Sequence, residues 1–214
     1  MKYKYILFDL DGTITESGPG IMNSVEYALN KMNREVGERD TLKKFIGPPL
    51  TESMEKYYGM SEEEALLGVK YYREYYHDKG IYENRVYDGL EEVLKKINEA
   101  GKQAIVATSK PEEYAKVIID HFHLTKYFAC VAGMEMDGGR GTKAQVITYA
   151  LEKNDITDKS NVLMIGDREH DVIGAHENGL DCLGILYGFG SRKEFEEAGA
   201  DYIRENVEDI LQFV

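Results

Sequence analysis

Apolar residues in this chain gather in short runs bounded by Gly, Asp or Ser, at positions 5–10, 103–108, 128–132, 161–165 and 182–186, with a weaker run at 202–203. Consecutive rather than alternating apolar positions over a strand's length predict strands covered on both faces, as in a parallel sheet. Helical spacing lies between the later runs. Residues 90–100 put Leu90, Val93, Leu94 and Ile97 on one face, and Gly101 supplies a stop. Residues 111–122 open on Pro111, as first turns often do, and residues 143–153 align Val146, Ile147, Ala150 and Leu151. Strand and helix in alternation predict βαβ crossovers and an α/β fold with a doubly wound parallel sheet.

One stretch departs from this alternation. From about residue 15 to 83 only helical periodicity is visible, at 21–32, 41–45, 50–58 and 61–79. Ser61 followed by Glu64 forms a candidate capping box for the last of these. The pattern predicts a helical subdomain inserted directly after the first strand. The tyrosine-rich run 71–76 falls inside it and reads as subdomain core and surface, in preference to a stacking platform for a base.

Composition narrows the possibilities. With 214 residues, 43% hydrophobic and 30% charged, the chain suits one large and one small globular unit. Lys plus Arg number 26 against 39 Asp plus Glu, a formal net charge of −13, which argues against a nucleic-acid partner. Any phosphate-handling site must then be made positive locally, by a metal or by a few placed lysines. Cys130 and Cys182 are too few for a disulfide framework and are expected to be reduced core thiols of a cytoplasmic protein. Asp9 and Asp11 interrupt the first apolar run too early for a signal peptide, and no run approaches the roughly 18 apolar residues of a membrane span.

Candidate chemistry sits where the strand runs end. Asp9 falls inside the end of the first run and Asp11 just past it, and Gly12 permits a sharp turn after them. Two carboxylates at the end of a buried strand are costly unless something positive neutralises them, and hard oxygen donors side by side suit Mg²⁺. An Asp-Gly turn with Asp11 as a solvated cap is the plainer alternative. Thr108 and Ser109, followed by Lys110 and Pro111, end the second run and offer hydroxyls at an anion-binding corner, or simply Ser109 as a helix N-cap. Lys143 opens a helix, a place the helix dipole disfavours for a cation, which suits an ammonium directed at carboxylates or phosphate, or else is simply a solvated surface lysine. Asp167 and Asp171 follow the fourth run, four residues apart, and face one point if a helix starts there. Arg168 reads as a structural ion-pair partner and His170 as a solvated or capping group. In a doubly wound sheet, ligands bind beyond the carboxyl ends of the strands, where all four groups fall.

These residues and their order resemble the haloacid dehalogenase superfamily, in particular the phosphoglycolate phosphatase-like branch with a helical cap. The resemblance covers essentially the whole chain. It implies a Rossmann-like core at residues 1–14 and 84–214 and a cap at 15–83. By the same resemblance Asp9 is the nucleophile that forms an aspartyl-phosphate, and Asp11 the general acid and base. Thr108 and Lys143 match the phosphate-holding groups. Asp9, Asp11 through its backbone carbonyl, Asp167 and Asp171 match the Mg²⁺ ligands. The family segment facing the active site from the cap corresponds to residues 45–50, which makes Gly47 and Pro48 candidates for substrate contact, although a rigid Gly-Pro-Pro turn explains them equally. Residues 18–20 and 85–89 would be the linkers that hinge the cap. The implied activity is Mg²⁺-dependent hydrolysis of a small phosphorylated metabolite, such as phosphoglycolate, a nucleoside monophosphate, pyrophosphate or a sugar phosphate; the oligomeric state is left open, with a monomer favoured. A sugar-phosphate mutase or a phosphonate hydrolase shares the outline, the latter through a cap lysine, and Lys31, Lys43, Lys44 and Lys56 have no distinctive setting for that role.

Overall fold

The computed structural model describes residues 2–136 and 139–214. In chain order its elements are β1 (Tyr5–Phe8), β2 (Thr15–Glu16), α1 (Gly18–Lys31), α2 (Leu50–Tyr58) and α3 (Glu62–Asp78). They continue with β3 (Arg85–Val86), α4 (Leu90–Glu99), β4 (Gln103–Pro111), α5 (Glu112–His121), β5 (Phe128–Met134) and α6 (Lys143–Lys153). Last come β6 (Val162–Gly166), α7 (Glu169–Glu177), β7 (Asp181–Ile185), α8 (Arg192–Ala198) and β8 (Tyr202–Arg204). The chain divides into two compact units, one of residues 1–15 with 86–214 and the other of residues 16–85.

The first unit is an α/β fold with a parallel sheet ordered β5-β4-β1-β6-β7-β8 among the described residues. From β1 the chain steps outward through β4 and β5, then crosses to the other side for β6, β7 and β8. That reversal next to β1 is the switch point at which open α/β sheets form a crevice. Burial on both faces explains the strand runs. Leu7, Ile105, Ala107, Val162 and Met164 pack with Val146, Ile147 and Ala150 of α6 and Val172 and Ala175 of α7. Their neighbours Ile6, Phe8, Ala104, Val106, Leu163 and Ile165 are buried as well, on the opposite side of the pleat. Phe8 lies level with Val106 on one side and Ile165 on the other, so β1 and β6 end within a residue of each other while β4 runs on beyond them.

The edges differ from the sequence expectation. β5 is only partly buried, because it has a strand neighbour on one side alone, and it extends to Met134. Cys130 lies in it half-buried, its Sγ accepting a hydrogen bond from Asn154 Nδ2 at 3.1 Å, so only Cys182 is a core thiol. β4 runs on through Pro111, which occupies the N-cap position of α5 instead of its first turn. Ser109 is therefore a strand residue and not the cap.

The second unit is helical. Both halves of the capping box form at α3, Glu64 N–H donating to Ser61 Oγ at 3.3 Å and Ser61 N–H to Glu64 Oε2 at 2.9 Å. Tyr72 and Tyr76 are buried and stack at 5.3 Å, the core role expected of the tyrosine run. Residues 39–45 are a 3-10 helix, and residues 18–20 belong to α1 and are not a free linker. The two-residue strands β2 and β3 pair, a feature too short to leave a pattern in the sequence. Among the described residues no helix is long and apolar enough to cross a membrane.

Candidate active site

Three carboxylates meet where β1 and β6 end. Asp9 follows β1, its N–H donating to Ile165 O at 2.9 Å. Asp167 follows β6, and Asp171 lies in the first turn of α7. One carboxylate oxygen from each lies within 4.8 Å of the other two, and all three side chains are buried. The geometry depends on glycines. Gly12 has φ +83°, and a Cβ there would stand 2.1 Å from Asp167 Oδ2. A Cβ on Gly166 would stand 2.1 Å from Asp171 Cγ, so the last position of β6 makes room for the acid that α7 supplies.

Lys143 is the counter-charge. It begins α6 behind a Thr142–Gln145 capping box. Its Nζ reaches Asp9 Oδ1 at 2.8 Å and Asp171 Oδ1 at 2.7 Å, and donates to Ala107 O at 3.1 Å. Burial alone would lower the lysine's pKa, but Asp171 and Asp9 outweigh it, and the ammonium stays charged. Among the described residues no ammonium pairs with Asp167. Burial first, then Asp171 and Asp9, push its carboxyl well above the usual range. The backbone N–H of Phe189 donates to its Oδ2 at 2.8 Å, and its buried Oδ1 has no hydrogen-bond partner among the described residues. Burial likewise raises Asp171, with Lys143 pulling the other way.

This donor set tests the expected metal. Three crowded hard-oxygen donors, with an orphaned buried Oδ1 and one ammonium against them among the described residues, call for further positive charge, and they fit Mg²⁺, which takes carboxylates with waters and phosphate oxygens. Asp11 stands apart from that cluster. Its carboxylate is held by Lys110, Nζ to Oδ2 at 2.6 Å, with side-chain exposures of 6% and 12%. Thr108, in the neighbouring strand β4 two residues past the level where β1 ends, is buried, and its Oγ1 accepts the Lys110 N–H at 3.2 Å, which leaves the hydroxyl proton to donate elsewhere. Gly47 and Pro48 lie in the helical unit, in the turn between the 3-10 helix and α2, with Gly47 at φ +102°.

Sequence reasoning missed Lys110 and the Phe189 N–H. Lys110 carries a signal in hindsight, a lysine at a buried strand's end in a strongly acidic chain. The Phe189 N–H carries none. Arg168 is the structural partner expected of it, its Nε donating to Glu194 Oε1 at 2.8 Å while its N–H donates to Asp171 Oδ2 at 3.1 Å.

Comparison with known proteins gives the family. Residues 6–185 match the model of the haloacid dehalogenase-like hydrolases. The chain belongs to that family. A Pseudomonas aeruginosa relative named 5'-nucleotidase is 42% identical over 91% of this chain and 87% of its own length. Mycobacterium tuberculosis PtkA, named a tyrosine-protein kinase, is 37% identical over 86% of this chain and 62% of its own. A crystal structure described as a predicted phosphatase from Clostridium acetobutylicum superposes with a TM-score of 0.95 at 46% identity, covering 99% of this chain and 98% of that one. More distant relatives named phosphoglycolate phosphatase place this hydrolase in that branch of the superfamily.

Proposed function

We propose that the chain is a Mg²⁺-dependent phosphatase that cleaves a small phosphorylated metabolite through an aspartyl-phosphate on Asp9. Family and relatives make it a phosphoric monoester hydrolase. The observation that carries the mechanistic reading is the buried group of Asp9, Asp167 and Asp171 with the Lys143 ammonium against two of them. In this reading a carboxylate oxygen of Asp9 attacks phosphorus, the bond to the leaving oxygen breaks, and Asp11 gives that oxygen its proton. Asp11, now ionised, takes a proton from water, whose oxygen attacks phosphorus. The bond to Asp9 breaks, inorganic phosphate leaves and the carboxylate is restored. Thr108 and Lys143 hold the phosphoryl oxygens, where developing charge is stabilised. Mg²⁺, held by Asp9, Asp167, Asp171 and the backbone carbonyl of Asp11, would supply the charge that lets an anionic phosphoryl group approach a carboxylate.

We assign substrate selection to Gly47 and Pro48 and read the protein as a cytoplasmic monomer. The substrate class is phosphoglycolate, a nucleoside monophosphate, pyrophosphate or a sugar phosphate. Incubation with Mg²⁺ and a panel of these compounds is expected to release inorganic phosphate rapidly from one or two of them. A chelator is expected to lower that rate by about 100-fold or more. A rate indifferent to the chelator would refute the metal-dependent mechanism. No release, with phosphate retained on Asp9, would favour a mutase that passes the group to a sugar.

A further inference from the structure

Arg140, in the connection between β5 and α6, takes part in no step above, yet its side chain is only 15% exposed. Its guanidinium meets four partners. Nε donates to Gly133 O at 2.8 Å, Nη1 to Glu135 Oε1 at 3.0 Å and Nη2 to Glu112 Oε2 at 3.3 Å. Its central carbon lies 3.8 Å from the centre of the Tyr149 ring. Glu112 is itself a junction, receiving Lys116 Nζ at 2.6 Å and the Gly133 N–H at 3.4 Å, with Lys153 at 3.8 Å. The Glu135 N–H donates to Arg140 O at 3.2 Å.

The partners belong to the segments that deliver the site. Glu112 opens α5 directly after the strand end that carries Thr108, and Tyr149 lies in the helix that Lys143 begins. Gly133 lies between them on β5, paired with Thr108 in register. An exposed ion pair would contribute little, but a planar fork engaged on three acceptors and stacked on a ring defines one geometry, which a lysine ammonium cannot reproduce. Lys143 needs such support, because a cation in a helix's first turn works against the dipole.

We propose that Arg140 is a positioning residue that sets the spacing between Thr108 and Lys143, the two groups assigned to the phosphoryl oxygens, from outside the site. The inference rests on the phosphatase reading. Arg140→Ala and Arg140→Lys would be assayed with Mg²⁺ and p-nitrophenyl phosphate beside the wild type, together with amide hydrogen exchange. In Arg140→Ala, kcat is expected to fall about 10- to 100-fold with KM within about threefold, since misplacement of about 1 Å is costly in the transition state. Millimolar guanidinium is expected to restore part of that loss and to do nothing for the wild type, and Arg140→Lys should resemble the alanine variant. Exchange should quicken at residues 141–146 while β1 and β6 keep their protection. A kcat within about twofold of wild type in Arg140→Ala would overturn the proposal. So would a loss that guanidinium leaves untouched and that comes with faster exchange throughout. If the wild type releases phosphate from no monoester, the phosphatase reading fails by itself. Exchange then decides the positioning role, quickening confined to residues 141–146 supporting it and unchanged exchange ending it.

Discussion

Asp9→Asn is expected to lower kcat by roughly 10⁴-fold or more, the scale of losing a covalent nucleophile. An amide carries no anionic oxygen to attack phosphorus and forms no acyl phosphate. The same substitution should leave the metal-free protein unfolding at or above the wild-type temperature. Asp9 is one of three buried carboxylates that repel one another, and its loss removes one of Asp167's like-charged neighbours. Lys143 is not orphaned, because Asp171 remains 2.7 Å from its ammonium. Steady-state phosphate release and a thermal melt in chelator check both halves. Turnover near wild type would end the assignment of Asp9.

Lys143→Met is expected to fail in both activity and stability. Activity should fall roughly 10²- to 10³-fold, as when a preorganised charge is removed from beside a transition state. In chelator the variant should lose about 3–5 kcal/mol, because removing one partner leaves the other buried charges uncompensated. Added Mg²⁺ should recover part of that loss. The pH dependence has a defined sign. A carboxyl whose folded pKa lies above its unfolded value of about 3.9 contributes full stability below that value and loses it as pH rises through the folded one. Asp167 is such a group, so the metal-free wild type should weaken as pH rises from about 4, and the variant more steeply. Denaturant unfolding across pH, with and without Mg²⁺, reads both effects. Equal stability of variant and wild type in chelator would contradict the charge account.

The central strands were legible because burial on both faces leaves consecutive apolar residues, as in β1, β4 and β6. β5 misled because an edge strand can carry the same residues with fewer covered, and β2 and β3 are too short for any periodicity. Pro111 looked like a first-turn residue, but its φ of −51° with ψ of 131° continues the strand into the N-cap. At the site, Asp9, Asp167, Asp171, Thr108 and Lys143 could be read as neighbours because each ends a strand or begins the next helix. Lys110 also stands near a strand's end, but its pairing with Asp11, 99 residues away, leaves no local mark. The Phe189 N–H that holds Asp167 is a backbone group and has no side-chain signature at all. Arg140 likewise gains meaning only from Glu112, Gly133 and Tyr149, which the fold brings to it.

Trapping the covalent intermediate tests the central claim most directly. The Mg²⁺-loaded protein would be mixed with its best substrate, quenched during turnover and treated with borohydride, which reduces an acyl phosphate to an alcohol. Peptide mass mapping is predicted to find homoserine at position 9, only when substrate and metal were both present. Reduction at another carboxylate, or rapid turnover with position 9 still aspartate, would contradict the account.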